Sequence, residues 1–374
     1  MSLTGDLSRK DEPGRARRKG MSWLVLVAYS LLSAASCCVA AESQLLGSAA
    51  ACAGAESRLR TAAQALDRGG LAEAERLLVP LQASHPDCGE VLLGLARLHA
   101  SRKDAITAQQ LFSQAIELAP QDARGHYYFA QFCFSQGEYR RADYYSDKAL
   151  SLDGGNADAL VLKGQLLAVK GQTPAAQELL EKACKLDPTH AEAHYQLGVL
   201  LDGRKLHREA VQQFEKVTAL RPHDPRAYDF LALNLESLGE AKRAEVAYRK
   251  GLQVNKGLLF DSFLDYNYGR FLLKENRPAE SKVHLDRALR FAPETRAVHY
   301  EHGKLNLRLQ RYREARLDAE RALSLPDPSG FVLDLQVYYL LATVYSRLGE
   351  NELARKYTEL CRTARIPIRA RERK

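Results

Sequence analysis

The sequence predicts an all-α fold of stacked helical hairpins on three grounds: a helix-favouring composition, small side chains recurring every 34 positions, and glycine and proline punctuation in step with them. Of 374 residues, 46% are hydrophobic and 27% charged, with only 13 prolines, 2 methionines and 1 tryptophan. That balance belongs to a folded chain of one large or two ordinary domains. Abundant Ala, Leu, Arg and Glu favour helix over strand.

The first element stands apart from the repeat. After the basic run Arg15 to Lys19, no charge occurs from Gly20 to Ala41, and the most apolar part runs from Trp23 to Ala35. A basic flank, a short apolar core and a small-residue end form the layout of a secretory signal over residues 1–41, cleaved near Val39-Ala40-Ala41 or Cys38-Val39-Ala40. The same stretch is long enough for an uncleaved membrane anchor, Cys37 after Ala34-Ala35-Ser36 admits a lipoprotein signal, and a buried helix of a cytosolic fold is the fourth reading. Under the first three the body is exported, periplasmic or membrane-anchored, because bases precede the apolar run and none directly follows it. A linker, 42–54, leads into the body.

From there the period is regular. Ala74, Ala108, Ala142, Ala176, Ala210 and Ala244 form one ladder; Ala62, Ala96, Ala130, Gly164, Gly198 and Ala232 form a second; Pro86, Pro120, Pro188 and Pro222 form a third. Past Lys256 the ladders resume after short insertions, with Gly269, Ser281 and Ala288, then Gly303, Ala315 and Ala322, then Ala342, Ala354 and Cys361. Nine units follow, starting near 55, 89, 123, 157, 191, 225, 262, 296 and 335 and ending near 366, before a basic tail at 367–374. Two helices of a dozen residues pack closely only where small side chains mark their approach. Larger residues such as Leu95, Phe112, Phe129, Phe214 and Tyr248 fill the remaining space at helical spacing. Gly69, Gly137, Gly171, Gly239 and Gly349 end the first helix of a unit, and the prolines end the second.

These units resemble the tetratricopeptide repeat, in pieces such as Ala193-His-Tyr-Gln-Leu-Gly198, Glu209-Ala210 and Leu186-Asp187-Pro188. The resemblance covers residues 55–366 and departs at His126, His194 and His299, where an aromatic is usual, and at polar Lys163. It implies a right-handed superhelical solenoid whose first helices line a concave groove for protein or peptide partners. In the family register the groove carries Tyr127, Tyr195, Tyr266, Tyr300 and Tyr339 at the fifth place of their units. Tyrosine suits such a surface because it joins contact area to a hydroxyl. Acids dominate the early units (Glu56, Asp67, Glu90, Asp158, Glu192, Asp202, Asp229, Glu236), and bases the last three (Arg270, Lys274, Lys304, Arg308, Arg347). That contrast predicts an acidic segment or chain terminus in the carboxy-terminal half of the groove.

The net charge of +8 is concentrated at the ends: the first twenty residues sum to +3 and the last thirteen to +5. A near-neutral body argues against nucleic acid as a partner, and leaves the membrane to the amino-terminal segment if it is uncleaved. Five cysteines follow the signal. Cys52 and Cys88 open the first helices of neighbouring units and are predicted to form a disulfide, with Cys133, Cys184 and Cys361 as core residues. After Cys361 no further amphipathic helix is expected, so the last unit is predicted to expose an apolar strip open to self-association.

The sequence has no Walker loop, dinucleotide fingerprint or nucleophile elbow, and its one metal-like spacing is the bare His299-Tyr-Glu-His302. No cofactor, metal or catalytic residue is therefore assigned. The function expected is a non-catalytic interaction scaffold, by fold analogy in a bacterial envelope, secretion or surface-appendage assembly. The alternative is the substrate-recruiting subunit of an enzyme complex.

Overall fold

A computed structural model of the chain describes residues 51–371 apart from 257–259, 328, 329 and 331, with the backbone alone over 365–371. The predicted signal or anchor therefore lies outside the described residues. Among the described residues all regular structure is helical, and the chain divides into two compact units between Gly154 and Gly155; no helix there is long and apolar enough to cross a membrane.

Unit one holds three hairpins: α1 (Glu56–Asp67) with α2 (Leu71–Ser84), α3 (Gly89–Ser101) with α4 (Ala105–Leu118), and α5 (Ala123–Ser135) with α6 (Tyr139–Leu152). Unit two holds six. They are α7 (Ala157–Val169) with α8 (Thr173–Leu186), α9 (Ala191–Gly203) with α10 (His207–Leu220), α11 (Pro225–Ser237) with α12 (Ala241–Val254), α13 (Leu264–Lys274) with α14 (Pro278–Phe291), α15 (Arg296–Arg308) with α16 (Tyr312–Ser324), and α17 (Asp334–Leu348) with α18 (Asn351–Arg371).

Small residues set the spacing within every hairpin. Ala74, Ala108, Ala142, Ala176, Ala210 and Ala244 have no exposed surface. A Cβ on Gly198 would lie 2.8 Å from the Phe214 ring, and one on Gly269 2.7 Å from Leu285, closer than carbon atoms approach without something moving. Each hairpin then turns through one left-handed residue. Five are glycines with φ between 74° and 78°; Lys103, Lys205, Asn276 and Gln310 take the same conformation at the other four turns, at some steric cost. Asp104, Asp122, Asn156 and Asp224 cap the helices they precede by accepting from a backbone N–H of the first turn.

The insertion before α13 is pinned at its base, where Asn255 Nδ2 donates to the Asp261 carbonyl at 2.8 Å and Asp261 N–H donates back to Asn255 Oδ1 at 2.7 Å. At the carboxy-terminal end the structure departs from two expectations. First, helix α18 runs on through Pro367 to Arg371 rather than stopping before it. Second, among the described side chains α18 turns Ala354, Tyr357 and Cys361 toward the core and shows solvent Glu352, Arg355, Lys356, Glu359 and Arg362 beside exposed Leu353, a mainly polar outer face.

Cys52 and Cys88 form a disulfide that ties the segment before α1 to the start of α3, while Cys133, Cys184 and Cys361 are free thiols. Closing a loop with a sequence separation of 36 limits the unfolded chain, an effect worth up to about 4 kcal/mol. Cys88→Ser should accordingly lower the urea midpoint of unit one, and non-reducing peptide mapping should recover the 52–88 cross-link from the wild type. Gly198→Ala should cost about 1–3 kcal/mol, since fully buried Phe214 cannot retreat. Gly203→Ala, whose Cβ would meet nothing within 4 Å, should be neutral or stabilising in the same urea titration.

Candidate functional site: the first-helix face

The fifth-place tyrosines are not equivalent. In unit one Tyr127 is buried, its ring 4.9 Å from that of Tyr128 and its hydroxyl accepting from Gln131 Nε2. In unit two Tyr195 sits edge-on to Phe214 and Phe230, with the Arg226 guanidinium 5.4 Å from its ring centre. Tyr266 packs on Leu273, Leu285 and Leu305, bridging the seventh and eighth hairpins. Burial pushes both phenols up to about 12, so each keeps its hydroxyl proton to donate. Tyr300 is half-buried beneath the Lys304 ammonium, 5.2 Å from its ring, and Tyr339 is 40% exposed. The rings thus pack between repeats first and present edges and hydroxyls second.

Most predicted groove charges pair with one another. In unit one Arg97 reaches back to Asp67, and Arg124 to Glu90. In unit two His190 pairs with Asp158, Arg221 with Glu192, and both Arg270 and Lys274 with Glu236, at 2.7 and 3.3 Å. Arg97, Arg124, His190, Arg270 and Lys274 each join one repeat to the next, whereas Arg221–Glu192 closes the fifth hairpin on itself. Lys304 is held at 2.8 Å by Glu301 on its own helix, and Arg308 donates to Asn276 at 3.2 Å. Arg347 is exposed and makes no ion pair among the described residues. The five-base stripe read from the sequence is therefore largely neutralised within the protein. Exposed pairs of this kind contribute about 0–1 kcal/mol each. Removing Arg270 is a different matter, because the Glu236 side chain is only 7% exposed and would lose a principal partner.

Asp229 is the exception to this pairing. Its Oδ2 accepts from Asn267 Nδ2 at 2.8 Å, whereas its buried Oδ1 has no hydrogen-bond partner among the described residues. Burial, reinforced by the nearby Asp261 charge, pushes its carboxyl up to about 8, so it is mostly neutral at pH 7. Its folded value thus lies above its ordinary 3.8, and the folded state holds a proton that the unfolded chain gives up as pH rises between them. Stability then falls through that window, and the full penalty is felt above about 8. Asp229→Asn should therefore match or exceed the wild type in thermal melts at pH 8, by about 1–3 kcal/mol, and the difference should vanish near pH 4.

One feature that the sequence reading missed links the two helices of a hairpin. In five units the fourth residue meets the residue nineteen positions on. His194 Nδ1 lies 2.8 Å from Gln213 Oε1, His284 Nδ1 2.8 Å from Asp265 Oδ1, and His299 Nδ1 3.4 Å from Asp318 Oδ1, while the rings of His126 and Tyr145 and of Tyr338 and Tyr357 face each other at 6.0 Å. The signal was present as a repeated spacing whose two members change together. The three histidines that replace an aromatic also close the joint between repeats: Nε2–H of His126, His194 and His299 donates to the carbonyl of Pro120, Pro188 and Pro293, at 2.9, 3.1 and 2.9 Å. The His299-x-x-His302 pair turns both rings onto Asp318. Among the described residues no group of three or more side chains could hold a metal ion.

Two stretches, residues 169–233 and 335–361, match family models described as tetratricopeptide repeat. Human DnaJ homolog subfamily C member 7 is 21% identical over 299 residues, covering 74% of this chain and 56% of that protein. The type IV pilus assembly protein PilF of Pseudomonas aeruginosa is 27% identical over 161 residues, 42% of this chain and 63% of PilF. Human protein O-mannosyl-transferase TMTC1 is 28% identical over 229 residues, 60% of this chain but 26% of that enzyme. The chain spans between about a quarter and just under two thirds of these relatives' own lengths. A solved PilF structure superposes with a TM-score of 0.52 at 20% identity, over 58% of this chain and 97% of PilF, which is likeness of fold.

Proposed function

The chain belongs to the tetratricopeptide-repeat superfamily, and on that premise we propose that it is a non-catalytic scaffold binding protein or peptide segments along the first helices of its repeats. The observation that carries this reading is the run of half-buried tyrosines in unit two, Tyr195, Tyr266 and Tyr300, followed by exposed Tyr339. Their bodies are fixed by packing, so their edges meet a partner with little further loss of freedom. Because Arg270, Lys274 and Lys304 are answered internally, attraction for an acidic segment rests on Arg308 and Arg347. Shape and hydroxyl contacts therefore lead, and charge follows.

An exported setting in a bacterial envelope or appendage assembly is supported by the signal-like amino terminus and by the likeness to PilF, which is named for type IV pilus assembly. The likeness to TMTC1, an O-mannosyl-transferase by name, favours a second reading in which the repeats recruit substrate to a separate catalytic chain.

Photo-crosslinking from single positions in the native cell tests the proposal. A photoreactive residue at Tyr300 or Tyr339 should capture protein, whereas one at Val283 or Leu317, exposed on the second helices, should not. Equal capture from both sets, or none from the first, removes the first-helix face as the binding surface. An enzyme among the captured chains selects the second reading.

A further inference from the structure

His302 lies on α15, between α14 and α16, with its side chain 14% exposed. Its Nδ1 is 2.7 Å from Asp318 Oδ2 on α16, and its Nε2 is 3.0 Å from Asp286 Oδ1 on α14. We propose that His302 is a proton-operated clamp that joins the seventh hairpin to the eighth through this Asp286–His302–Asp318 bridge, closed when the ring is charged and loosened when it is neutral. The inference concerns stacking alone and needs no partner, so it stands apart from the binding function proposed above.

A neutral imidazole has one N–H and one lone pair. With a carboxylate at each nitrogen, only the imidazolium can donate to both; a neutral ring that keeps Nε2–H on Asp286 sets its Nδ1 lone pair 2.7 Å from Asp318 Oδ2, offset in part by Asn306 Nδ2, which lies 3.2 Å from Nδ1 and can donate to it. The surroundings fix this arrangement. Asp318 also accepts from Asn306 Nδ2 at 2.8 Å and faces His299 Nδ1, while Asp286 pairs with Lys282 one turn earlier on α14. On its own helix Glu301 and Lys304 pair with each other. The other neighbours of α15 bring Asp265 on α13, held by His284 and Arg287, and Asp334 on α17, held by Arg296 at the first residue of α15. His284–Asp265 thus lies within the seventh hairpin and Arg296–Asp334 joins the eighth to the ninth, while the His302 ring has one nitrogen on a carboxylate of the seventh hairpin and the other on a carboxylate of the eighth.

Burial opposes the charge on His302, yet the bonds and attraction of Asp318 and Asp286 outweigh it and raise the ring above its ordinary value. Asp318 moves the opposite way, down to about 2. The clamp contributes fully below the unfolded histidine value and is lost as pH rises through the raised folded value; on the acid side it is lost as pH falls towards about 2. Since α15 also carries Tyr300 and Lys304, loosening at alkaline pH would reach the first-helix face.

The test is a pH series on the full chain, read by histidine NMR and amide hydrogen exchange. The His302 ring resonance, identified by its absence in His302→Gln, should titrate above 6.5. Across that titration, amide protection of α15 relative to α9 should fall by roughly tenfold for each unit of the rise, and His302→Gln should show no such step. Asp286→Asn, which leaves the Asp318 contact in place, should lower the midpoint and shrink the step, and it carries the test should His302→Gln fail to fold. A midpoint at or below 6.5, or an α15 step of the same size in a variant as in the wild type, overturns the clamp.

Discussion

Within each hairpin the two helices approach so closely that one Cβ decides their separation. Where glycine stands, the facing side chain occupies the place a Cβ would take: Leu180 opposite Gly164, Phe214 opposite Gly198, Leu285 opposite Gly269. Where alanine stands in the first six hairpins, at Ala74, Ala108, Ala142, Ala176, Ala210 and Ala244, it has no exposed surface. Close approach lets large side chains reach across the hairpin and into the next, as in the Phe214–Phe230 stack at 5.2 Å and the Tyr248–Phe271 pair at 5.5 Å. Every later feature depends on this spacing, because the second helix must return to the same distance before the next repeat can add to it.

That constraint explains which parts of the molecule could be read from sequence. Contacts made at fixed distance along the chain leave periodic marks, so the small-residue ladders disclosed the hairpins, and the turn glycines disclosed five of the nine left-handed positions. Lys103, Lys205, Asn276 and Gln310 occupy the remaining four without any propensity signal strong enough to mark them. They are legible only by counting from neighbouring units. The first-helix face was read less well. Family register located its tyrosines, but not that Tyr127 is buried while Tyr339 is exposed, because exposure depends on how the next repeat lies against the ring.

Charge was the least legible property, for a physical reason. A list of acids and bases along one face looks like an electrostatic surface until most of the bases are seen to pair within the protein, several of them with the repeat before. Arg270 and Lys274 were candidates for gripping an acidic partner, yet both close on Glu236, and the acid that remains unanswered, Asp229, is buried and mostly neutral at pH 7. Nothing local distinguishes these roles. They follow from which side chains the stacking brings within 4 Å, a non-local outcome.

A surface that pairs its own charges is also suited to a repeat array. Hairpins this similar could slip by one repeat, since the small-residue contacts alone are nearly the same at every step. Pairs that join adjacent repeats vary along unit two: His190 to Asp158, Arg270 to Glu236, Arg296 to Asp334. A slipped register would separate these partners and leave groups such as Glu236 buried without them, at a cost well above that of any exposed pair. The ion pairs therefore act less as a source of stability than as a record of order, and a partner that binds this face meets a charge pattern already fixed by the need to stack correctly.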